Sequence, residues 1–336
     1  MAVRVAINGF GRIGRLTLRA ALESKRKDIE FVAINDLGSL EMNALLLQND
    51  TTHGRLSNRV RKTATGINAG SGTIKVFSER DPEALPWGKL GVDVVLECTG
   101  IFTKREQAVQ HLKAGAKKVL ISAPASGEDL TVVYGVNDQR LRKSHKIVSN
   151  ASCTTNCLAP VAAVMHKAFE IQQGYMTTIH AYTGDQRILD TLHSDPRRAR
   201  AAGQSMIPTS TGAAKAVGLV LPELNGKLDG TSIRVPTPNV SVIDFTFIPK
   251  KKTNVEAVNS AAIRASKSNR LKGIFNVNEQ PLVSSDFNHD PASSTFDLTQ
   301  TQVIDGKLVR VVSWYDNEWG FSNRMLDTAV RMGKLK

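Results

Sequence analysis

The sequence predicts an α/β protein in two parts: an N-terminal domain built around a parallel sheet, and an α+β domain with a mostly antiparallel sheet. Before residue 150, short and nearly continuous apolar runs, such as 3–8 and 92–97, alternate with stretches of helical periodicity. That order is typical of βαβ units, whose parallel strands are covered by helices on both faces. Further on, residues 241–247 and 302–314 alternate apolar and polar side chains. This alternation predicts one strand in each range, in a sheet with one covered face.

Helical periodicity predicts further elements on both sides of the boundary near residue 150. We expect a helix over residues 12–24, another from Cys153 to about Phe169, and a last one over 319–332. Residues 181–211 form a long polar segment rich in Arg, Gly, Ser and Asp. A loop of this length inside a compact protein is usually functional or part of an interface.

Length and composition exclude several classes of protein. The 336 residues, of which 41% are hydrophobic and 22% charged, suit a globular protein of two domains and not a disordered chain, a collagen or a coiled coil. No apolar run approaches the ~18 residues that span a bilayer. The first residues have neither the long apolar core nor the cleavage site of a signal peptide. We therefore expect no membrane partner.

Charge and cysteine content narrow the range of partners. Lys and Arg number 44 against 31 Asp and Glu, a net charge of +13, which favours anionic ligands, either nucleic acids or small molecules. The basic residues are scattered and form no long tail, so we expect nucleic-acid binding only as a side activity. The three cysteines lack the spacing of a zinc site. They argue against a metal site and a disulfide framework, and for a reducing compartment.

Residues 9–14 form a glycine motif, Gly-Phe-Gly-Arg-Ile-Gly, between the first predicted strand and the first predicted helix. In that context Gly9 permits a tight turn, Gly11 lets a pyrophosphate approach the backbone, and Gly14 allows close packing of helix on strand. Asp36 ends the second strand, where a carboxylate can hold the adenosine ribose and repel a 2′-phosphate. The alternative for Asp36 is a cap on the next helix. Together these features predict a Rossmann-type dinucleotide-binding domain that prefers NAD.

A cysteine stands at the start of the helix that opens the second half of the chain. Ser152 resembles an N-cap, which places Cys153 in the first turn. There the helix dipole and the free N–H groups are expected to lower the pKa of the thiol. Cys157, one turn further, is expected to be buried and inert. The alternative for Cys153 is an ordinary packed side chain, which is the commoner fate of a free cysteine.

His180 ends a predicted strand, and a histidine considered alone is more often structural than catalytic. The cysteine and the dinucleotide motif change that judgement. An aldehyde carbon is a poor hydride donor, but thiolate attack creates a hemithioacetal, which expels hydride as it collapses to a thioester. An imidazole can take the hydroxyl proton, and the backbone N–H of Cys153 is a candidate oxyanion donor. The set predicts aldehyde oxidation with Cys153 as nucleophile and His180 as general base.

Six motifs together resemble those of one enzyme family. They are GFGRIG at 9–14, IND at 34–36, SNASCTTNC at 149–157, TGAAKAVG at 211–218, RVPTPNVSV at 234–242 and WYDNEWGFSNR at 314–324. Over its whole length the chain resembles phosphorylating glyceraldehyde-3-phosphate dehydrogenase. The resemblance implies a cytoplasmic homotetramer of glycolysis and gluconeogenesis. It also implies conversion of glyceraldehyde 3-phosphate, inorganic phosphate and NAD to 1,3-bisphosphoglycerate and NADH.

The resemblance also implies roles for individual residues. NAD would be contacted, besides the three glycines, by Arg12, Ile13, Asp36, Arg80, Ser122 and Asn317. The attacking phosphate would be bound by Ser152, Thr154, Thr211 and Gly212, and the substrate phosphate by Thr183, Arg198 and Arg234. Anions can shift between these two neighbouring sites. The alternative for each arginine is a surface ion pair, worth ~0–1 kcal/mol.

The same resemblance implies a domain organisation. Residues 1–152 would form the NAD-binding domain and residues 153–318 the catalytic domain. The helix at 319–336 would pack back on the NAD-binding domain. The loop at 181–206 would lie at a subunit interface near a neighbouring cofactor.

Two departures from the family pattern bear on specificity. In NAD-using members a Leu-Pro pair follows the loop's Arg-Ile-Leu-Asp stretch and disfavours NADP, whereas here Thr191 and Leu192 follow it. Asp36 still favours NAD, and the strictness of the selectivity stays open. Stretches at 285–291 and 316–321 resemble erythrose-4-phosphate dehydrogenase, which is the alternative activity. The patterns at 182–184 and 209–214 favour the triose phosphate.

Overall fold

The computed structural model describes residues 2–335, and the chain folds into two compact units. Unit 1 contains the chain up to Ser152 together with the residues from Phe321 onward, and unit 2 is Cys153–Gly320. None of the helices within the described residues is long and apolar enough to cross a membrane.

Unit 1 contains a nine-stranded sheet and a separate two-stranded hairpin made of β3 and β4. Its strands are β1 (Val3–Asn8), β2 (Ile29–Asn35), β3 (Asn49–Asp50), β4 (Gly54–Arg55), β5 (Arg61–Lys62), β6 (Gly66–Asn68), β7 (Thr73–Phe77), β8 (Val94–Glu97), β9 (Lys118–Ile121), β10 (Leu130–Thr131) and β11 (Ile147–Ser149). Its helices are α1 (Arg12–Glu23), α2 (Leu40–Gln48) and α3 (Arg105–Lys113).

The order of the nine strands places β1 at a switch point of the sheet. That order is β10-β11-β9-β8-β1-β2-β7-β6-β5, and the pairs from β10 to β7 are parallel. The chain passes from β1 to β2 on one side, while β8 lies on the other side of β1. In open α/β sheets a crevice forms at the carboxyl ends of strands where the order reverses in this way. The predicted parallel sheet is confirmed, with an antiparallel edge at β6 and β5.

Unit 2 contains a seven-stranded sheet and three helices. Its strands are β12 (Ile171–Ala181), β13 (Ile207–Ser210), β14 (Leu228–Val235), β15 (Ser241–Pro249), β16 (Phe275–Asn278), β17 (Ser294–Ile304) and β18 (Leu308–Tyr315). Its helices are α4 (Cys153–Phe169), α5 (Ala213–Val220) and α6 (Val255–Ser266).

The sheet of unit 2 is mostly antiparallel, as predicted. The strand order is β13-β14-β12-β15-β18-β17-β16, and only β12–β14 and β16–β17 are parallel pairs. Helix α4 packs between α5 and α6 and against the central strands. Along β15 every second residue is buried and the others are half-buried, because one face of the sheet is covered more completely than the other.

The last helix, α7 (Trp319–Lys334), lies mostly in unit 1. The buried ammonium of Lys118 donates to the carbonyl oxygens of Met332 at 2.7 Å and Leu335 at 3.0 Å. Arg26 forms an ion pair with Asp327 at 2.8 Å. The two bonds from Lys118 satisfy carbonyls at the end of α7 that have no partner within the helix, and the ion pair holds the middle of the helix.

Two sequence-based expectations about unit 2 are wrong in detail. The single strand expected over 302–314 is a hairpin, since β17 ends at Ile304 and β18 begins at Leu308. Asp305 and Gly306 form its turn with φ values of +49° and +66°, and an Asp-Gly pair is the local signal for such a turn. The polar segment expected to reach residue 211 ends earlier, because β13 adds an antiparallel edge strand from Ile207.

Candidate active site

A cleft of about 370 Å³ in unit 1 lies at the carboxyl ends of β1, β2 and β8. It is lined by Asn8, Gly9, Gly11, Asn35, Asp36, Leu37, Glu79, Arg80, Cys98, Thr99, Ile101 and Phe102. The cleft therefore includes four of the predicted cofactor residues, at the place where the strand order predicts a dinucleotide. A larger hollow of about 670 Å³ in unit 2, beside Tyr175 and Lys215, contains none of the predicted site residues.

The three glycines of the motif meet different constraints. Gly9 has φ +88°, and a Cβ there would lie 2.7 Å from the backbone nitrogen of Thr99. A Cβ on Gly14 would lie 2.2 Å from the carbonyl oxygen of Gly9, so the helix could not pack this closely. A Cβ on Gly11 would meet nothing within 4 Å, and Gly11 caps α1 without a side-chain acceptor for the first N–H groups. The free space at this helix N-terminus fits the approach of a pyrophosphate.

Asp36 joins the glycine turn to the end of β2. Its Oδ2 accepts from the backbone nitrogen of Phe10 at 2.8 Å, and its Oδ1 accepts from that of Gly38 at 2.8 Å. Asn43 also donates to Oδ1, at 3.4 Å. A carboxylate has about four acceptor sites, so these bonds leave capacity for a ribose hydroxyl. The alternative role as a helix cap is wrong, because the N-cap of α2 is Ser39, whose side chain accepts from the nitrogen of Met42.

Four other predicted cofactor residues do not line the cleft. Arg12 forms an ion pair with Asp50. Ser122 follows β9, and its backbone nitrogen donates to the carbonyl of Glu97 at 3.0 Å. Arg12, Ser122 and Ile13 are not among the residues that line the cleft, and Asn317 belongs to unit 2. Their contacts with NAD stay predictions.

A buried carboxylate under the cleft was not foreseen from the sequence. Glu97 is 1% exposed. Its Oε1 accepts from the backbone nitrogen of Thr99 at 2.8 Å, and its Oε2 accepts from Asn8 at 2.6 Å and from His111 Nε2 at 2.9 Å. Trp87 donates to the other ring nitrogen of His111 at 3.1 Å, so Nε2 carries the hydrogen. The only signal in the sequence is an acidic residue that ends an otherwise apolar strand.

In unit 2 the structure brings Cys153 and His180 together. Cys153 is the first residue of α4, and its Sγ lies 3.5 Å from Nε2 of His180, near the end of β12. Cys153 is half-buried and His180 is buried. Cys157 is fully buried, as predicted, and its Sγ lies 3.3 Å from the hydroxyl of Ser294. Burial raises the pKa of Cys157 to about 12, which makes it a poor nucleophile at neutral pH.

The hydrogen bonds of His180 determine which ring nitrogen is protonated. Nδ1 lies 2.6 Å from the carbonyl oxygen of Ala181, which can only accept, so Nδ1 carries the hydrogen. Arg234 Nη1 also lies 3.0 Å from Nδ1, but a guanidinium can only donate; its partner is the same carbonyl oxygen, at 3.2 Å. The lone pair of Nε2 therefore faces the sulfur of Cys153.

Burial acts on both members of this pair. Burial, followed by the positive charge of Arg234, lowers the pKa of His180 to about 3, so the imidazole is neutral at pH 7. Burial also raises the pKa of Cys153, while Arg234 and hydrogen bonds from Thr154 act in the opposite direction. The expected lowering of the cysteine pKa is therefore wrong in its net direction. The helix N–H groups contribute as expected, but dehydration of the sulfur outweighs them.

Tyr315 is a further member of the site that sequence reasoning missed. Its hydroxyl lies 2.9 Å from the hydroxyl of Thr154 and 2.8 Å from that of Thr178. Its ring meets the ring of His180 edge to face, with centroids 5.9 Å apart. Tyr315 thus ties the first turn of α4 to β12 and packs against the imidazole. The one sequence signal for Tyr315 was its position as the last residue of a strand with alternating polarity.

Two arginines supply positive charge beside this pair. Arg234 is opposite His180 in the β12–β14 ladder, and its Nη1 lies 3.5 Å from the hydroxyl of Thr183. Arg198 donates to Asp185 at 2.6 Å, and its charge contributes to the lowered pKa of His180. The Nε of Arg198 also lies 3.7 Å from the carboxylate of Asp195, so this arginine forms the ion pairs that were its alternative role. Within residues 2–335, the buried Nε of Arg234 has no hydrogen-bond partner. An unused cationic donor of this kind suits an anion.

The remaining predicted anion ligands lie at helix starts. Ser152 directly precedes α4, and Thr154 is in its first turn. Gly212 is the N-cap of α5, and Thr211 accepts from the backbone nitrogen of Ala213 at 3.2 Å. Their roles toward phosphate stay predictions. Within the described part of the chain, no group of three or more His, Cys, Asp or Glu residues could hold a metal ion.

Replacing Gly11 by Ala should weaken dinucleotide binding without weakening the fold. The added methyl group enters free space, but it occupies the place where phosphate would approach the backbone. We expect Kd for NAD, measured by calorimetry, to rise about tenfold or more, which is about 1.4 kcal/mol. The control is Gly88→Ala, at an exposed position of unit 1 outside the cleft where the nearest atom to a Cβ is 3.4 Å away. Wild-type affinity in Gly11→Ala would contradict this assignment.

Replacing His180 by Asn should change how the reactivity of Cys153 depends on pH. Without the acceptor at Nε2, the buried thiol must ionise alone, with a pKa above the ordinary 9.0. We expect alkylation by iodoacetamide at pH 7 to slow about tenfold or more, and its inflection to move to higher pH. The control is His166→Asn, in the last turns of the same helix. An unchanged pH profile in His180→Asn would remove His180 from its role as base.

Comparisons with known proteins identify one family over both parts of the chain. Residues 3–105 match the model of the glyceraldehyde 3-phosphate dehydrogenase NAD binding domain, and residues 152–317 match the C-terminal domain of the same family. Proteins named glyceraldehyde-3-phosphate dehydrogenase from Xanthobacter flavus and Cereibacter sphaeroides are 66% and 62% identical, over 100% of both chains. The one from Geobacillus stearothermophilus is 58% identical over 98% of both chains. The chain belongs to the glyceraldehyde-3-phosphate dehydrogenase family.

Proposed function

We propose that this chain catalyses the NAD-dependent oxidation and phosphorylation of D-glyceraldehyde 3-phosphate to 1,3-bisphosphoglycerate, in glycolysis and gluconeogenesis. One observation carries the proposal: the Cys153 sulfur lies 3.5 Å from Nε2 of a buried His180, whose hydrogen bonds leave that nitrogen as an acceptor. The names of the relatives point to the same substrate and do not favour erythrose 4-phosphate.

The first step is addition of the sulfur to the aldehyde. His180 accepts the thiol proton at Nε2 while the sulfur forms a bond to the carbonyl carbon, and the carbonyl oxygen takes that proton back. The product is a hemithioacetal with a neutral imidazole beside its hydroxyl group. The charge of Arg234, which lowers the pKa of Cys153, favours the transient thiolate.

The second step oxidises the bound carbon. Bound NAD supplies the acceptor for the hydride. As the C–H electron pair leaves with its hydrogen, Nε2 of His180 takes the hydroxyl proton, and the carbon becomes the carbonyl of a thioester on Cys153. Tyr315 and Ala181 hold the imidazole through ring contact and a hydrogen bond, so the base meets the hydroxyl in one orientation.

The third step transfers the acyl group to phosphate. An oxygen of inorganic phosphate attacks the thioester carbon, the C–S bond breaks, and the electron pair returns to Cys153 as thiolate. The attacking phosphate would be bound by Ser152, Thr154, Thr211 and Gly212, and the substrate phosphate by Thr183, Arg198 and Arg234. The unpartnered Nε of Arg234 supports anion binding here, and anions can shift between the two sites.

Residues of unit 1 would hold NAD. The backbone at Gly9 and Gly11 would receive the pyrophosphate, Asp36 would bind the adenosine ribose, and Arg80 lines the same cleft. The carboxylate of Asp36 disfavours a 2′-phosphate by charge repulsion. Further contacts with the cofactor are assigned to Arg12, Ile13, Ser122 and Asn317.

The decisive assay measures NADH formation from glyceraldehyde 3-phosphate with and without inorganic phosphate. We expect turnover that phosphate stimulates, and a lower kcat/KM with erythrose 4-phosphate. Cys153→Ser should lose about 10³-fold or more of the turnover while its Kd for NAD stays unchanged. Cys157→Ser is the control, because that sulfur is fully buried. Turnover that does not respond to phosphate would overturn the proposal.

We also propose that the chain forms a homotetramer and that the 181–206 loop lies in a subunit contact. Four large apolar side chains of this loop are exposed: Ile188 by 88%, Leu189 by 74%, Leu192 by 91% and Met206 by 76%. Several large exposed apolar side chains in one loop are typical of an interaction surface. Closed symmetric assemblies of identical chains are the common way to bury them.

A charge introduced into this loop should weaken the assembly. We expect wild-type protein to sediment as a tetramer, and Leu192→Asp to shift toward smaller species at micromolar concentration. The control is Leu219→Asp, at an exposed leucine of α5 outside the loop. A monomeric wild-type protein, or a tetramer that Leu192→Asp leaves intact, would count against the loop as an interface.

The expected location is the cytoplasm, because the family reaction belongs to glycolysis. The three cysteines, Cys98, Cys153 and Cys157, are free, which suits a reducing compartment. The net charge of +13 would support nucleic-acid binding only as a salt-sensitive side activity.

A further inference from the structure

We propose that Ser241 is a positioning residue for the reaction: one hydroxyl group holds both the backbone beside His180 and the side chain of Asn317. The inference rests on the proposed function and names a residue to which that function gives no role. Ser241 is the first residue of β15 and is 1% exposed. It does not contact the reacting atoms and acts through its two partners.

The hydroxyl group of Ser241 makes two hydrogen bonds of opposite sense. Its oxygen accepts from the backbone nitrogen of Ala181 at 3.0 Å. Its hydrogen is then available for donation, and the oxygen Oδ1 of Asn317 lies 2.8 Å away. An amide nitrogen can only donate, so the first bond requires the serine oxygen to accept and leaves its hydrogen for Asn317.

On one side, Ser241 fixes the backbone that orients His180. The regular pairing of β12 with β15 ends at Ile179 and Val242, and the serine side chain takes up the next N–H, that of Ala181. The N–H of Tyr182 donates to the carbonyl of Thr237 at 3.1 Å. With both neighbouring peptides held, the Ala181 carbonyl is held in place as the acceptor for Nδ1 of His180.

On the other side, Ser241 determines the orientation of the Asn317 amide. Because Oδ1 accepts the serine hydrogen, the NH₂ group of Asn317 must point the other way, as a donor. A donor at this position suits an acceptor atom of NAD, the ligand that the proposed function assigns to Asn317. If an alanine replaced Ser241, no hydroxyl group at this position would favour the oxygen of the Asn317 amide over its nitrogen.

The backbone before Ser241 is strained, and hydrogen bonds on both sides hold it. Val240 has φ +68° and is 3% exposed, a left-handed conformation that a β-branched residue rarely adopts. Asn239 donates to the carboxylate of Asp316 at 2.8 Å. The residues on either side of Val240 therefore bind two consecutive residues, Asp316 and Asn317. Strain of this kind persists where the surroundings over-determine a geometry, and it clusters at functional sites.

The charged and titratable groups around His180 come from four structural elements. They are Cys153 of α4, Arg234 of β14, Arg198 of the 181–206 loop and Tyr315 of β18. Ser241 is uncharged and is not one of these groups. Replacing the serine hydroxyl changes none of these charges. A change in the pH profile of Cys153 would therefore report the position of the imidazole.

The test compares Ser241→Ala with Ser232→Ala. Ser232 is a matched control, since it is 2% exposed on β14 and, among residues 2–335, its buried hydroxyl has no hydrogen-bond partner. In Ser241→Ala we expect Kd for NAD to rise about tenfold. We also expect alkylation of Cys153 at pH 7, in the enzyme without NAD, to slow about tenfold, with its inflection at higher pH. Ser232→Ala should match wild type in both measurements, and Ser241→Thr, which keeps the hydroxyl, should recover most of the loss.

A double-mutant cycle separates positioning from loss of structure. If Ser241 acts on the cofactor through Asn317, then Ser241→Ala should add no further loss of NAD affinity to Asn317→Ala. Additive losses, or an alkylation profile in Ser241→Ala equal to wild type, would overturn the inference. Neither measurement uses the sugar phosphate. An absence of phosphate-stimulated turnover in wild type would instead overturn the proposed function.

Discussion

The bond from Nδ1–H of His180 to the Ala181 carbonyl, 2.6 Å long, is the constraint on which the rest of the site depends. It places the ring hydrogen on the side away from Cys153 and leaves the lone pair of Nε2 toward the sulfur. With the opposite tautomer Nε2 would donate to the sulfur and could not accept the thiol proton. This one bond determines which ring nitrogen is the base. Arg234 and Tyr315 also lie against the ring, but they do not determine the tautomer.

Burial disfavours both the thiolate form of Cys153 and the imidazolium form of His180. It raises the pKa of the thiol and lowers that of the imidazole, so the pair rests as neutral thiol and neutral base. The charge of Arg234 lowers both pKa values; it favours the thiolate and disfavours the imidazolium. In the proposed mechanism the reactive thiolate would therefore form as the substrate is attacked, and the buried base would be protonated only transiently.

Local patterns predicted the fold well and the site in part. The bounds of β1 and the start of α4 at Cys153 follow from apolar periodicity and glycine placement, which act over a few residues. The missed hairpin at Asp305 and Gly306 had a local signal as well. The bonds of Ser241 join residues 60 and 76 positions apart along the chain. No periodicity encodes such pairs, since they arise from the register of strands that meet only in the folded sheet. The net direction of the Cys153 pKa was missed because burial depends on that same tertiary packing.

The charges in the proposed reaction explain why His180 lies beside two arginines that lower its pKa. In the proposed oxidation step a hydride carries a negative charge away from the carbon, and His180 is left as an imidazolium. Burial is the largest cause of the lowered pKa of His180, and the charges of Arg234 and Arg198 also oppose an imidazolium there. In the proposed site, a phosphate anion held by the same two arginines would cancel part of their field and raise the basicity of the imidazole. The base would then be weakest with the anion site empty and strongest with a phosphorylated substrate bound. Such a site would couple recognition of the substrate's phosphate to proton transfer at His180.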